Sequence, residues 1–167
     1  GDFVAINRKG VFGNKTKLDF NMEDYVKSIN KHQYKVEHID VPKEITEEFA
    51  YYLGLLQGDG CLTQKPYYML TTADDEILDF FTDFNKRIFN KETEKRIISD
   101  YDYSVHSVYL REYLKQIGFG FEKSTHKIIP NSIMSAPKNI VSKFLRGLFD
   151  TYGTVAHNSV SVTTSSI

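Results

Sequence analysis

Residues 52–60, YLGLLQGDG, and residues 145–153, LRGLFDTYG, are one short pattern written twice. Tyr52, Leu55 and Leu56 around Gly54 match Leu145, Leu148 and Phe149 around Gly147, at spacings that put each set on an apolar helix. A glycine inside a helix costs about 1 kcal/mol relative to alanine, so two at the same relative place predict close backbone approach where one helix crosses the other. In the first copy Asp59 precedes the closing Gly60, where helix hands over to loop. In the second copy Tyr152 stands at that position.

The repeat continues past the helices. CLTQKPYYMLTTADDEI follows Gly60 and TVAHNSVSVTTSSI follows Gly153. Each reads as a strand running into a Thr-Thr pair, Thr71-Thr72 or Thr163-Thr164, suited to capping a helix. The first strand is expected over Cys61–Thr72. After it, Ile77, Phe80, Phe81, Phe84 and Ile88 form one stripe of an amphipathic helix whose charges run from Asp74, Asp75 and Glu76 to Lys86 and Arg87. Residues 93–110 read as one or two strands around a Ser99–Asp102 turn, and a short helix, Glu112–Ile117, ends at Gly118 and Gly120. Thr46 is the expected N-cap of the first motif helix, with Glu47 and Glu48 in its first turn. This order predicts an α+β fold in which helices back antiparallel sheets. By the first repeat, about 60 further residues of a second lobe would follow Ile167. The strand with Val155, Val160 and Val162 is accordingly expected to have an unpaired edge.

Length and composition set the background. The 167 residues are 41% hydrophobic and 26% charged, which is ordinary for one or two globular domains. No signal peptide or membrane-length apolar run is present, and Cys61, read as a small buried residue, is the only cysteine. An internal disulfide is excluded, and an intracellular location, cytoplasm or nucleoid, is expected, with no membrane partner. The net charge is −1, but residues 86–146 hold 12 Lys and Arg against 6 Asp and Glu. Such a segment is the electrostatic footprint expected for phosphate contacts, with Lys91, Lys95, Arg96 and Arg111 in or near strand-like sequence. Scattered solvated charge is the plainer alternative.

The doubled motif resembles that of the LAGLIDADG (dodecapeptide) homing endonucleases, above all the endonuclease domain that interrupts inteins. The resemblance implies a pseudosymmetric molecule with paired motif helices at its centre and a Gly54–Gly147 helix interface. Each helix end would deliver one acid to metal beside double-stranded DNA. Asp59 falls on the first catalytic and metal-binding acid, and Tyr152 on the position of the missing second one. Mg²⁺ is the implied cofactor, activating water for phosphodiester hydrolysis. A phenol is a poor ligand for this hard ion, so double-strand cleavage is expected to be impaired. Asp150, two residues and about 200° of helix away, is expected to pair locally instead.

THKIIP, residues 125–130, resembles the intein-endonuclease motif in which a lysine approaches the active site. Lys127 is therefore a catalytic candidate that would hold water or offset phosphate charge, and His126 a possible assistant. The family's sheet reads bases in the major groove. Tyr101, Tyr103, His106 and Tyr109 are candidates for that face, although strand aromatics also simply pack.

Residues 1–42 read as the trailing part of an intein splicing domain and a linker, on the strength of GDFVAINR at residues 1–8 and of the polar stretch Asn21–Pro42 with a short helix. Residues 43–135 read as the first LAGLIDADG lobe and 136–167 as the start of a second, incomplete one. Gly1 and Ile167 are not splicing residues, so the remaining intein segments or a complementing chain are implied partners. Natural decay, deliberate inactivation, or conversion to nicking or binding alone would each account for Tyr152. A cleavage-inactive nucleic-acid-binding protein, serving RNA splicing or transcription, is the alternative reading, and a purely structural insert is a third.

Overall fold

Thr46 opens the first motif helix as the sequence predicts. Its Oγ1 accepts from the Phe49 amide at 3.1 Å, and Glu47 and Glu48 fill the first turn. The computed structural model describes residues 11–30, 37–63, 66–120, 127–156 and 159–162. Helix α1 (Met22–Asn30) leads to the motif helix α2 (Glu47–Asp59), then β1 (Gly60–Cys61), β2 (Tyr67–Thr71) and helix α3 (Asp75–Phe89). There follow β3 (Glu94–Lys95), β4 (Asp102–His106), α4 (Val108–Gln116), the single turn α5 (Asn131–Met134), and the second motif helix α6 (Lys138–Tyr152) with its hairpin β5 (Gly153–Ala156) and β6 (Ser159–Val162).

The first four strands form one antiparallel sheet in the order β1-β2-β4-β3, and β5 and β6 pair with each other. Tyr67 lies opposite His106 and Leu70 opposite Tyr103. Because side chains alternate across a strand, Tyr68, Leu70, Tyr103 and Val105 share one face, while Tyr67, Met69, Thr71, Asp102, Ser104 and His106 share the other. The first face is the covered one: Tyr68, Leu70 and Val105 are fully buried. The core joins this face to Phe49, Tyr52, Leu53 and Leu56 of α2 and to Phe81, Phe84 and Phe89 on the apolar stripe of α3. Met22 and Ile39, from the stretch read as linker, belong to the same core.

One polar cluster is sealed inside it. The Tyr52 hydroxyl donates to Asn85 Oδ1 at 2.8 Å and the Tyr68 hydroxyl to the same oxygen at 2.9 Å, while Asn85 Nδ2 donates to the Phe81 carbonyl at 2.8 Å. Three buried polar side chains thus satisfy one another and fix α2, β2 and α3 in a single register.

Several local expectations are corrected. The strand expected over Cys61–Thr72 is two short strands, because the chain turns between them to pair Gly60 with Leu70. Thr72 is not the cap of α3. Asp74 is, accepting from the amides of Glu76 and Ile77, while Thr72 Oγ1 accepts from the Asp74 amide. A carboxylate one residue before the helix out-competes a hydroxyl that lies farther back. The second strand of the 93–110 segment ends at His106, where Ser107 caps α4 by accepting from the Leu110 amide at 3.1 Å. That helix starts four residues before the expected Glu112. It stops where Gly118 adopts φ 104°, a left-handed conformation that favours glycine.

Candidate functional site

The two motif helices cross at their matching glycines. A Cβ on Gly54 would overlap the carbonyl oxygen of Phe144, and one on Gly147 would overlap that of Tyr51. The contact is thus backbone against backbone, reciprocal across the pair. Four residues on, Gly58 packs against Thr151. The next residue in each helix is its last, Asp59 in α2 and Tyr152 in α6, so the crossing brings an acid and a tyrosine to the same end of the helix pair. Asp59 is half-buried and Tyr152 is 38% exposed.

Lys127 sits at the end of α2. Its ammonium donates to the carbonyls of Gln57 at 3.0 Å, Gly58 at 2.7 Å and Gly60 at 3.0 Å. An ammonium has three hydrogens, and these three carbonyls match them, the sort of partner that the negative end of a helix dipole favours. Lys127 thus holds the helix end that carries Asp59. Burial pushes the Asp59 carboxyl above its ordinary value, and the charge of Lys127 opposes that shift. Burial likewise lowers the Lys127 ammonium, with Asp59 opposing. His126 lies outside the described residues, as do residues 1–8 and Thr163-Thr164.

The raised Asp59 value has a measurable sign. Since the folded chain holds the proton more tightly than the unfolded one, ionising Asp59 costs stability as pH rises from the ordinary value of 3.8 through the folded value. Asp59→Asn is therefore expected to raise Tm at pH 7, with the gain shrinking to nothing below about pH 4. An unchanged or lowered Tm at pH 7 would count against a stability cost held at this position.

A divalent ion here would draw most of its oxygen ligands from water or phosphate. Among the described residues no three His, Cys, Asp or Glu side chains gather where they could share a metal. Asp59 brings one carboxylate, its flanking carbonyls are taken by Lys127, and Tyr152 adds a phenol. Such a set would hold Mg²⁺ only weakly, through Asp59. Asp150 pairs locally, as expected from its place on the helix. It accepts from the Tyr51 hydroxyl at 2.9 Å and lies 3.4 Å from Arg146 Nε. Gln57, its counterpart, donates to the Ile128 carbonyl at 3.3 Å.

The basic candidates separate by environment. Arg111 is 5% exposed on α4 and donates to the Leu62 carbonyl at 2.9 Å, so it is an internal strut and not a phosphate contact. Lys91 is mostly covered and pairs with Glu37. Lys95 is exposed and lies 3.6 Å from Asp100. Arg96 lies over the ring of Tyr67 and donates to its hydroxyl. Among the aromatic candidates, Tyr103 sits on the covered face opposite Leu70, and Tyr109 is 4% exposed within α4, so neither belongs to the open face. Tyr101 is exposed at the β3–β4 turn, and His106 lies on the open face beside Tyr67. Sequence reasoning missed Tyr67, which differs from buried Tyr68 only by strand alternation. The one available signal was that period of two.

No protein-family model matches the chain. Known proteins similar to it include a glutamine–fructose-6-phosphate aminotransferase (isomerizing) of Methanocaldococcus jannaschii, 26% identical over 136 residues that cover 80% of this chain and 12% of that protein. A probable translation initiation factor IF-2 of the same organism is 27% identical over 157 residues, covering 89% of this chain and 13% of that protein. The chain thus spans about one eighth of the length of each relative. Among the described residues, no helix is long and apolar enough to cross a membrane.

Proposed function

We propose that this chain is part of a LAGLIDADG endonuclease domain carried within an intein, that it binds double-stranded DNA, and that its double-strand cleavage is impaired at Tyr152. The observation that carries the reading is the doubled motif, whose helices cross glycine to glycine and end on Asp59 and Tyr152. The pattern of similarity supports it too. Nearly the whole chain matches a small part of two proteins with unrelated names, and an intervening sequence inserted into different hosts would produce such a pattern. Splicing would then belong to the rest of the intein, supplied in the same or a complementing chain. Residues 43–135 would act as the first lobe and residues from 136 onward as the second, with Mg²⁺ retained only weakly by the single motif acid.

The lone carboxylate favours one further reading, a nucleic-acid-binding protein that has given up cleavage. Selection from two randomised pools, duplex DNA and single-stranded RNA, tests both. The expected result is a retained DNA consensus whose affinity falls steeply with salt. Preference for the RNA pool would replace the endonuclease reading with an RNA-cofactor role, and retention of neither would remove nucleic-acid binding altogether.

A further inference from the structure

Of the four basic residues assigned to DNA, three already have partners within the chain: Lys91 has Glu37, Lys95 has Asp100, and Arg111 is buried against the Leu62 carbonyl. Among the described residues Arg96 is the one of the four that meets neither a carboxylate nor a buried carbonyl through its side chain. It is nevertheless firmly placed. Its amide donates to the Asp102 carbonyl at 2.9 Å, which puts it beside Asp102, whereas Tyr67 lies opposite His106 at the other end of β4. The two side chains meet along the open face, to which Ser104 also belongs. The guanidinium carbon is 4.8 Å from the centre of the Tyr67 ring, and Nη1 donates to the Tyr67 hydroxyl. The His106 ring lies against the same tyrosine, 5.1 Å between centroids.

A guanidinium has five hydrogens in one plane, and the tyrosine engages one nitrogen of it. The remaining donors are held in a fixed orientation on the face opposite α3, so little further side-chain entropy is lost when they meet a ligand. The ligand chemistry that suits them is a planar edge with two adjacent acceptors. In duplex DNA that edge is guanine O6 and N7 in the major groove. We propose that Arg96 is a base-specificity residue reading one guanine, and that Tyr67 is the positioning residue that aims it. The inference rests on the DNA-binding reading above and adds to it a base, a reader and a support.

The test uses the duplex that the wild-type chain selects from a randomised DNA pool. Each guanine of that duplex is replaced in turn by adenine, and binding is measured for wild type, Arg96→Ala, Arg96→Lys and Tyr67→Phe. One guanine is expected at which replacement weakens wild-type binding by about 10-fold to 100-fold. Arg96→Ala and Arg96→Lys abolish that preference while other positions keep theirs, and Tyr67→Phe, which keeps the ring and loses the hydroxyl, reduces it in part. Equal weakening of Arg96→Ala on every duplex would make Arg96 a phosphate contact and overturn the proposal. So would an unaltered guanine preference in Arg96→Ala, or full preference in Tyr67→Phe for the positioning role. A wild-type chain that selects no duplex would instead overturn the DNA-binding reading, and this inference with it.

Discussion

Gly54→Ala is expected to destabilise the chain by about 3 kcal/mol or more, whereas Gly58→Ala, one turn along the same helix, costs about 1 kcal/mol or less. Both replace a helical glycine with the best helix former, which by itself would favour the variant by about 1 kcal/mol. The difference lies in what the new methyl group meets. At Gly54 it meets the Phe144 carbonyl oxygen, with the backbone of Leu148 and Gly147 close behind, and these move only if α2 and α6 separate. At Gly58 it meets the side chain of Thr151, whose hydroxyl can rotate away at the loss of its bonds to the Gly147 and Leu148 carbonyls. Gly147→Ala should match Gly54→Ala, since its methyl would strike the Tyr51 carbonyl. For a chain of this length the predicted loss lowers Tm by about 6–12 °C. Urea or thermal unfolding of the three variants checks it, and equal cost at Gly54 and Gly58 would mean that the helices do not cross where the glycines lie.

Tyr152→Asp is expected to leave duplex affinity near the wild-type value and to raise double-strand cutting by about 100-fold or more with Mg²⁺ present. The exposure of Tyr152 makes the substitution tolerable to the fold: the side chain projects from the last residue of α6 and is not part of the core. An aspartate there restores to α6 what α2 has in Asp59 and gives the helix pair two carboxylates instead of one. Asp150 is no substitute, because the Tyr51 hydroxyl and Arg146 hold it elsewhere on the helix, and burial, followed by the bond to Asp150, pushes the Tyr51 phenol up to about 12. The measurement is conversion of supercoiled plasmid carrying the selected duplex into linear product, by each protein. Equal linear product from both would sink the idea that residue 152 limits cleavage. Metal affinity measured on the two proteins without DNA separates a failure to bind the ion from a failure to use it.

Much of this was written in the sequence, wherever a side chain acts within a turn or two of its own backbone. The motif helices, the Thr46 cap, the stripe of α3 and the crossing glycines follow from periodicity, propensity and the cost of glycine in a helix. The same reasoning went astray where two local signals competed. Asp74 took the cap expected at Thr72, and Ser107 turned strand-like sequence into α4 and carried Tyr109 inside. Neither outcome was decided by composition; each depended on which oxygen reached a free amide.

The fate of the charged residues was a different matter. Lys91, Lys95, Arg96 and Arg111 look alike along the chain, and spacing alone cannot say which will find a carboxylate, which a buried carbonyl and which an aromatic ring. Those partners come from segments far away in sequence: Glu37 for Lys91, Leu62 for Arg111, Tyr67 for Arg96. Lys127 is the clearest case, a lysine beside a recognisable motif that reaches back to the carbonyls of Gln57, Gly58 and Gly60 at the end of α2. By itself the sequence determined the repeated helices, their close approach and the unequal pair of residues at their ends, because these depend on local conformation and on residue identity. Only the tertiary structure decided which partner each charge meets, because those partners are brought beside it from distant segments of the chain.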